Sequence, residues 1–225
     1  MTKSYDVAIL GATGAVGESL LEILAEQDFP IRKLYPLGSE RSQSNTVMFR
    51  NKPLAVQDVE TFDFNQVQIA FFSAGAAVSA KYAPIAGRAG CVVIDNTSQF
   101  RNQDDIPLVV PEVNPEQIKH YVNHHIIANP NCSTIQMVVA LKPIYDAVGI
   151  SRINVVTYQS VSGTGRKAIQ ELAQQTKDML TGMPAQATII PKPIFFKIGV
   201  IPMRGTKHLF EIFIIRSPLI EIGNE

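Results

Sequence analysis

The feature that most constrains the fold is a glycine-rich turn between a short apolar run and a segment with helical periodicity. The run YDVAIL ends at Leu10, and the residues GATGAVG follow at once. Beyond the turn, apolar side chains recur at the spacing of one helix face, at Val16, Leu20, Leu21 and Leu24. A strand, a turn and a helix, followed by a second strand in KLYPLGS, predict the start of a parallel α/β sheet.

Strands and helices alternate through most of the chain. We predict further strands in VQIAFFSAG, CVVIDNTS and HHIIANPN, and a long alternating strand in RINVVTYQSVSG. Helices are predicted in AAVSAKYAPIAGRAG, which Pro84 breaks or kinks, in STIQMVVALKPIYDAV and in TGRKAIQELAQQTKDML. Open α/β sheets bind ligands beyond the carboxyl ends of their strands, so the small and polar residues that end these strands are expected to face one crevice.

Composition and charge argue against several classes of protein. Hydrophobic residues make up 46% and charged residues 18%, and the formal net charge is zero, which gives no electrostatic basis for binding nucleic acid or an anionic membrane. The N-terminus lacks the apolar stretch of a signal peptide, and no apolar run reaches the length of about 18 residues that predicts a membrane span. No CxxC or His/Cys cluster indicates a metal site. We therefore expect a cytoplasmic protein without a metal.

The glycine turn has the form G-x-x-G-x-x-G, a relative of the dinucleotide fingerprint. Glycines there permit a tight turn and the close approach of a pyrophosphate, while the helix N-terminus supplies N–H donors and a partial positive charge. The alternative is an ordinary strand–helix turn. The later segment SGTGRK lacks the spacing of a P-loop.

The residues after the second predicted strand bear on the choice of dinucleotide. An acidic residue there favours NAD, and Glu40 is present in LGSERSQS. Ser39, Arg41 and Ser42 are suited to a 2′-phosphate, with Arg41 supplying charge-assisted hydrogen bonds. We favour NADP; the alternative for Arg41 is a solvated loop charge.

Cys132 lies between a predicted strand and a predicted helix. A helix N-terminus stabilises a thiolate, and Asn131 and Ser133 are able to cap the helix. The alternatives are a buried structural cysteine and a disulfide with Cys91, which itself opens an apolar strand and is expected in the core. A nucleophilic cysteine beside a nicotinamide cofactor indicates an oxidoreductase that forms a thioester.

Five segments together resemble the aspartate-semialdehyde dehydrogenase family. They are VAILGATGAVG, SAGAAVSAKYAP, VVIDNTSQFRNQDDIPLVVPEVN, IIANPNCSTIQMVVALKPI and TYQSVSGTGRKAIQEL. The resemblance covers about residues 5–194. N-acetyl-glutamyl-phosphate reductase and glyceraldehyde-3-phosphate dehydrogenase share the layout or the chemistry, but their cysteine motifs differ from this one.

The resemblance implies an α/β protein with a Rossmann-type parallel-sheet NADP-binding domain and an incomplete α+β catalytic and dimerisation domain. The expected divisions are residues 1–132, residues 133–194 and a divergent tail, 195–225. The implied reaction converts L-aspartyl 4-phosphate and NADPH to L-aspartate 4-semialdehyde, phosphate and NADP. It belongs to the biosynthesis of lysine, threonine, methionine and isoleucine.

The resemblance also implies roles for individual residues. Cys132 is the implied nucleophile, Gln159 orients the substrate, Arg101 binds phosphate and Asn131 lines the same pocket. The implied cofactor contacts are Gly11, Thr13, Gly14, Ala15, Val16, Arg41, Ser42, Ser162 and Gly163. Local sequence alone leaves two alternatives open. Arg101 would pair with a nearby aspartate of the NQDD segment, and Gln159 would be a surface position.

The resemblance stops after Ile194, and from Ile189 onward isoleucine is frequent and alanine is absent. Arg204 and His208 in this tail match no motif of the family. We interpret the chain as a truncated or frameshifted family member with little or no activity. A non-catalytic NADP-binding or interaction protein is the alternative. The family is expected to form homodimers, and this expectation is weaker for a chain with such a tail.

Overall fold

A six-stranded parallel sheet forms the centre of the first of two units into which the chain divides, Met1–Asp146 and Ala147–Glu225. The computed structural model describes residues 3–155, 157–189 and 213–216. The strands of the first unit are β1 (Tyr5–Leu10), β2 (Ile31–Gly38), β3 (Thr46–Phe49), β4 (Lys52–Ala55), β5 (Gln57–Asp58), β6 (Ile69–Phe72), β7 (Val92–Asp95) and β8 (Ile126–Ala128).

The order of strands in the sheet is β5-β2-β1-β6-β7-β8, and each neighbouring pair is parallel. The chain passes from β1 to β2 on one side and later returns to β6 on the other. This reversal beside β1 is the point at which open α/β sheets bind ligands, beyond the carboxyl ends of the strands. The strands β3 and β4 form a separate antiparallel hairpin.

The α-helices in the described part of the chain follow the periodicity of the sequence closely. None of them is long and apolar enough to cross a membrane. They are α1 (Ala15–Glu26), α2 (Ala76–Arg88), α3 (Cys132–Val148) and α4 (Arg166–Leu180). The α/β architecture predicted from the sequence is therefore confirmed.

Side chains of β1 point alternately to two hydrophobic clusters, because successive residues of a strand face opposite sides. Ile9 packs in the cluster that contains Leu21 of α1. Leu10 packs in the cluster that contains Ala83 of α2. The helical spacing predicted for Val16 and the following leucines is confirmed, although the Val16 side chain at the first turn of α1 is 49% exposed.

Pro84 does not break α2, which runs without interruption from Ala76 to Arg88. A proline inside a helix removes one backbone hydrogen bond. Tyr82 and Ala86 on either side of it are buried in the core. Their burial holds the helix on the sheet in spite of the missing donor.

The second unit contains α4 and a two-stranded antiparallel sheet of β9 (Thr157–Ser160) and β10 (Phe213–Arg216). The prediction of one long strand over RINVVTYQSVSG is wrong in extent. The strand ends at Ser160, because this side chain accepts a hydrogen bond from the Ser162 N–H and starts a 3₁₀ turn, Val161–Thr164.

The tail predicted as residues 195–225 lies outside the described residues except for β10. Arg204 and His208 are among the residues outside. The predicted domain boundary at residue 132 stays a prediction.

Replacement of Gly17 by alanine is expected to destabilise the first unit. A Cβ at Gly17 would lie 2.2 Å from the Gly11 carbonyl oxygen and 2.7 Å from the Ala12 Cα, so the turn has to move. Overpacking of this kind costs about 1–3 kcal/mol, more than the roughly 1 kcal/mol that alanine gains in helix propensity. Urea unfolding measures the difference. The exposed control Ser19→Ala should change stability by less than about 0.5 kcal/mol, and a more stable Gly17→Ala variant would contradict the expectation.

Candidate active site

The glycine turn after β1 leaves the N-terminus of α1 open to a ligand. Gly11 has φ +93°, in the region that favours glycine, and its N–H donates to the Leu37 carbonyl at 2.9 Å. Gly14 is the N-cap of α1 and makes no side-chain hydrogen bond to the helix. The backbone donors of the first turn are thus not capped by a side chain, which suits an anionic group such as a pyrophosphate.

Ser73, just beyond β6, lies against this turn and was missed in the sequence. Its N–H and its hydroxyl both donate to the Leu10 carbonyl, at 2.9 Å and 3.2 Å. Its Oγ lies 2.9 Å from the position that a Cβ on Gly11 would take. The signal in the sequence was the strand end FFSAG, whose position beside β1 became visible only with the strand order.

The predicted cofactor residues 41 and 42 follow β2 in a 3₁₀ turn, Glu40–Ser42. Ser42 lies close to the strand, because a Cβ on Gly38 would come within 2.9 Å of its Cβ. Arg41 is exposed. The end of β2 is tied to the glycine turn through the Leu37 carbonyl, so the structure places both groups of predicted cofactor residues at one edge of the sheet.

Cys132 is the first residue of α3, and it is exposed. The Asn131 side chain caps the helix by accepting hydrogen bonds from the Ser133 N–H at 3.0 Å and the Ser133 hydroxyl at 2.6 Å. The Cys132 thiol lies 3.8 Å from the same oxygen. Both alternatives weighed from the sequence, a buried cysteine and a disulfide with Cys91, are wrong, since Cys132 is exposed and both thiols are free.

Arg101 is half-buried and is held by two backbone carbonyls. Its Nε donates to the Asn129 carbonyl at 2.9 Å and its Nη2 to the Asn96 carbonyl at 3.0 Å. Burial lowers the pKa of the Arg101 guanidinium, while the charges of Asp95 and Cys132 act to raise it. The predicted anion-binding cation and the predicted nucleophile therefore lie within electrostatic reach of one another.

The alternative that Arg101 pairs with an aspartate of the NQDD segment is wrong. Asp105 instead contacts the His124 ring at 2.6 Å, in an exposed pair. Within the described residues, the hydrogen bonds of Arg101 go to the strand ends.

A buried carboxylate supports the loop that carries Arg101. Asp95 is fully buried at the end of β7 and accepts hydrogen bonds from the Ser79 hydroxyl at 2.7 Å and the Thr97 hydroxyl at 2.8 Å. The Thr97 N–H adds a third, longer contact at 3.3 Å. These bonds fix the turn that starts after β7, and so they restrict where the chain reaches Arg101.

The remaining predicted site residues belong to the second unit and are described within it. Gln159 is half-buried in β9, and its Nε2 donates to the Thr157 hydroxyl at 3.2 Å. Ser162 and Gly163 are exposed in the 3₁₀ turn that follows β9. The roles predicted for these three residues stay predictions.

No group of three or more His, Cys, Asp or Glu side chains in the part of the chain that the structure describes is arranged to hold a metal ion.

The fold and the site define a class of protein, an α/β protein with a Rossmann-type sheet and a cysteine presented at a helix N-terminus. A family model described as semialdehyde dehydrogenase, NAD binding domain, matches residues 6–121. A second model, semialdehyde dehydrogenase, dimerisation domain, matches residues 141–212, past the point where the resemblance stops in the sequence. The chain belongs to the semialdehyde dehydrogenase family.

Comparison with individual proteins agrees with this assignment. The chain is 60% identical to an aspartate-semialdehyde dehydrogenase of Shewanella violacea over 198 residues. The matched region covers 88% of this chain and 59% of that relative. The crystal structure of Vibrio cholerae aspartate semialdehyde dehydrogenase II complexed with ASA matches with a TM-score of 0.80 and 60% identity, over 86% of this chain and 57% of that one. The chain thus spans less than two thirds of the length of these relatives.

One structure of lower sequence identity was solved with a cofactor. Aspartate semialdehyde dehydrogenase of Candida albicans, solved with NADP, matches with a TM-score of 0.59 and 28% identity, over 70% of this chain and 51% of that one.

The two thiols are expected to differ sharply in reactivity. Cys91 is fully buried, and burial raises its pKa to about 12, whereas Cys132 is exposed. Iodoacetamide at pH 8 should label one thiol per folded chain, at Cys132, and none in Cys132→Ser on the same timescale; mass spectrometry counts the labels. Labelling of Cys91 in the folded chain would contradict the expectation.

The same burial predicts how stability depends on pH. The pKa of Cys91 in the folded chain lies above its usual value of 9.0. The neutral thiol therefore contributes fully to the free energy of unfolding below pH 9, and this contribution is lost as the pH rises towards about 12. Cys91→Ala should therefore lose less stability than the wild type over that range, measured by urea unfolding.

Proposed function

We propose that this chain carries the site of an NADP-dependent aspartate-semialdehyde dehydrogenase and catalyses this reaction at the low rate expected from its sequence. The reaction takes L-aspartyl 4-phosphate and NADPH to L-aspartate 4-semialdehyde, phosphate and NADP. The observation that carries the proposal is the exposed Cys132 at the N-terminus of α3, within electrostatic reach of the partly buried Arg101. The 60% identity to the Shewanella violacea relative supports this choice of substrate.

The residues at the edge of the sheet fit a dinucleotide. The turn at Gly11 brings backbone close to a ligand, and Gly14 leaves the first turn of α1 without a side-chain cap. Arg41 and Ser42 follow β2, where the adenosine ribose is bound in proteins of this fold, and a guanidinium there suits a 2′-phosphate. The residues proposed to hold the pyrophosphate are those of the turn, from Gly11 to Val16.

Cys132 is the proposed nucleophile. Its thiolate attacks the acyl carbon of aspartyl phosphate, the carbon–sulfur bond forms as the carbon–oxygen bond to phosphate breaks, and phosphate leaves with the electron pair. The N-terminus of α3 stabilises the thiolate before the attack. Asn131, as the N-cap of that helix, keeps the thiol at its first turn.

Arg101 is proposed to bind the phosphate group. Its guanidinium is anchored by two carbonyls, which leaves further N–H donors of the fork for phosphate oxygens. A positive charge at this place stabilises the charge that develops on the leaving phosphate. Gln159 is proposed to orient the substrate.

The cofactor, when bound, supplies the hydride that reduces the thioester on Cys132 to the aldehyde. As the aldehyde forms, the carbon–sulfur bond breaks, its electron pair stays on the Cys132 sulfur as the thiolate, and the aldehyde leaves.

We include a homodimer in the proposal. The match to a dimerisation domain begins at residue 141, within α3. Large apolar side chains on α3 and α4 are exposed, among them Tyr145, Val148 and Leu180. Exposed apolar residues of this kind are suited to an interface with another protein surface.

Activity is tested in the direction of aldehyde oxidation. The chain is mixed with aspartate semialdehyde, phosphate and the oxidised dinucleotide, and formation of the reduced dinucleotide is followed by absorbance. We expect slow turnover, in keeping with the low activity predicted from the sequence, that depends on phosphate and is faster with NADP than with NAD. Cys132→Ser should lower kcat by roughly a thousandfold or more, since the nucleophile is lost. Cys91→Ala, which changes the buried thiol, is the matched control and should keep the wild-type rate.

Two outcomes would contradict the proposal. Turnover that survives in Cys132→Ser would remove the nucleophile from its role. NADP binding without any turnover in the wild type would favour the non-catalytic alternative.

A further inference from the structure

The side-chain amides of Asn96 and Asn129 bind each other at the carboxyl ends of two neighbouring strands. Asn96 directly follows β7 and Asn129 follows β8, and the Asn129 amide donates to the Asn96 side-chain oxygen. Their backbones are fixed too, because the Asn96 N–H donates to Phe72 and the Asn129 N–H to Asp95, each at 2.9 Å from the carbonyl oxygen. The amide pair is therefore a crosslink between two anchored strand ends.

The same two residues hold the guanidinium of Arg101. The Asn129 carbonyl accepts from Nε and the Asn96 carbonyl from Nη2. Each asparagine thus uses its backbone to hold the cation and its side chain to hold the other asparagine. If the crosslink opens, only the backbone hydrogen bonds of the strand ends set the separation of the two carbonyl acceptors, and the orientation of the guanidinium is less restricted.

The crosslink also bears on the cysteine. Asn129 lies three residues before Cys132, and between them Asn131 is fixed as the N-cap of α3. We propose that the amide pair of Asn96 and Asn129 is a positioning device that holds Arg101 beside Cys132. The inference rests on the proposed role of Arg101 in binding phosphate.

A purely structural amide pair predicts something different. Its loss would lower the stability of the first unit, but a variant that still folds would keep its cation beside the cysteine. A useful test therefore measures the charge near the Cys132 sulfur in folded protein and does not depend on turnover.

Charge-selective alkylation of the full chain supplies this measurement. Iodoacetate is an anion and iodoacetamide is neutral, and both react with the same thiolate. The ratio of their rates is therefore independent of the thiolate fraction and reports the charge held near the sulfur. Cys91 is fully buried, so the rates in the folded chain belong to Cys132.

We expect Arg101→Ala to lower the iodoacetate-to-iodoacetamide ratio by roughly three- to tenfold, the effect of one nearby charge in a partly solvated site. Asn96→Ala and Asn129→Ala should each lower the ratio towards that value, because the cation is still present but is no longer held in place by the amide pair. The double variant should fall no further than either single variant, because residues that act as a unit are not additive.

The control is Lys142→Ala, which removes a cation ten residues further along α3, where Lys142 pairs with Asp146. It should keep the wild-type ratio. Mass spectrometry checks folding in every variant, since a folded chain takes one label and an unfolded chain takes two. If an alanine variant takes two, Asn96→Ser and Asn129→Ser replace it, because serine is too short to span the pair but keeps a polar group at the strand end.

Three results would overturn the proposal. The first is that the asparagine variants keep the wild-type ratio while Arg101→Ala lowers it. The second is that the effects of the two single asparagine variants add in the double variant. The third is that the wild-type ratio already equals that of Arg101→Ala. No substrate or cofactor enters these measurements. A chain with the expected ratios but no turnover would contradict the proposed dehydrogenase activity and not the positioning of Arg101.

Discussion

The contact on which the site depends is the pair of hydrogen bonds from the Arg101 guanidinium to the carbonyls of Asn96 and Asn129. A half-buried cation is costly unless polar groups replace its water. Two neighbouring parallel strands supply such polar groups, because their carboxyl ends lie side by side at one edge of the sheet. The acceptors come from β7 and β8, and the chain then continues from β8 to Cys132. Sheet geometry therefore places a cation near a cysteine although the two residues are far apart in sequence.

The same edge carries the glycine turn, on the other side of the topological reversal at β1. Gly11 and Ser73 contact each other there because β1 and β6 are neighbours in the sheet. The proposed cofactor site and the proposed chemical site thus both follow from one parallel strand order. The Leu37 carbonyl of β2 accepts a hydrogen bond from the Gly11 N–H, and this bond links the glycine turn to the strand that leads to Arg41.

Periodicity and local motifs predicted the parts of the fold that depend on neighbouring residues. The turn at Gly11, the helix after it and the cap of α3 by Asn131 all follow from short segments, and all three are confirmed. The pair of Asn96 and Asn129 was missed, because it depends on the adjacency of β7 and β8, which no local pattern contains. The C-terminal end of β9 was predicted too far along the chain for the opposite reason, since one side-chain hydrogen bond of Ser160 starts a turn within the alternating pattern.

The central claim is that Cys132 carries the acyl group of the substrate. Mass analysis of the chain mixed with L-aspartyl 4-phosphate and no dinucleotide, quenched in acid and digested, tests it directly. The account predicts one aspartyl adduct, on the peptide that contains Cys132, released by hydroxylamine as a thioester should be. An unmodified Cys132, or an adduct confined to another residue, would contradict it.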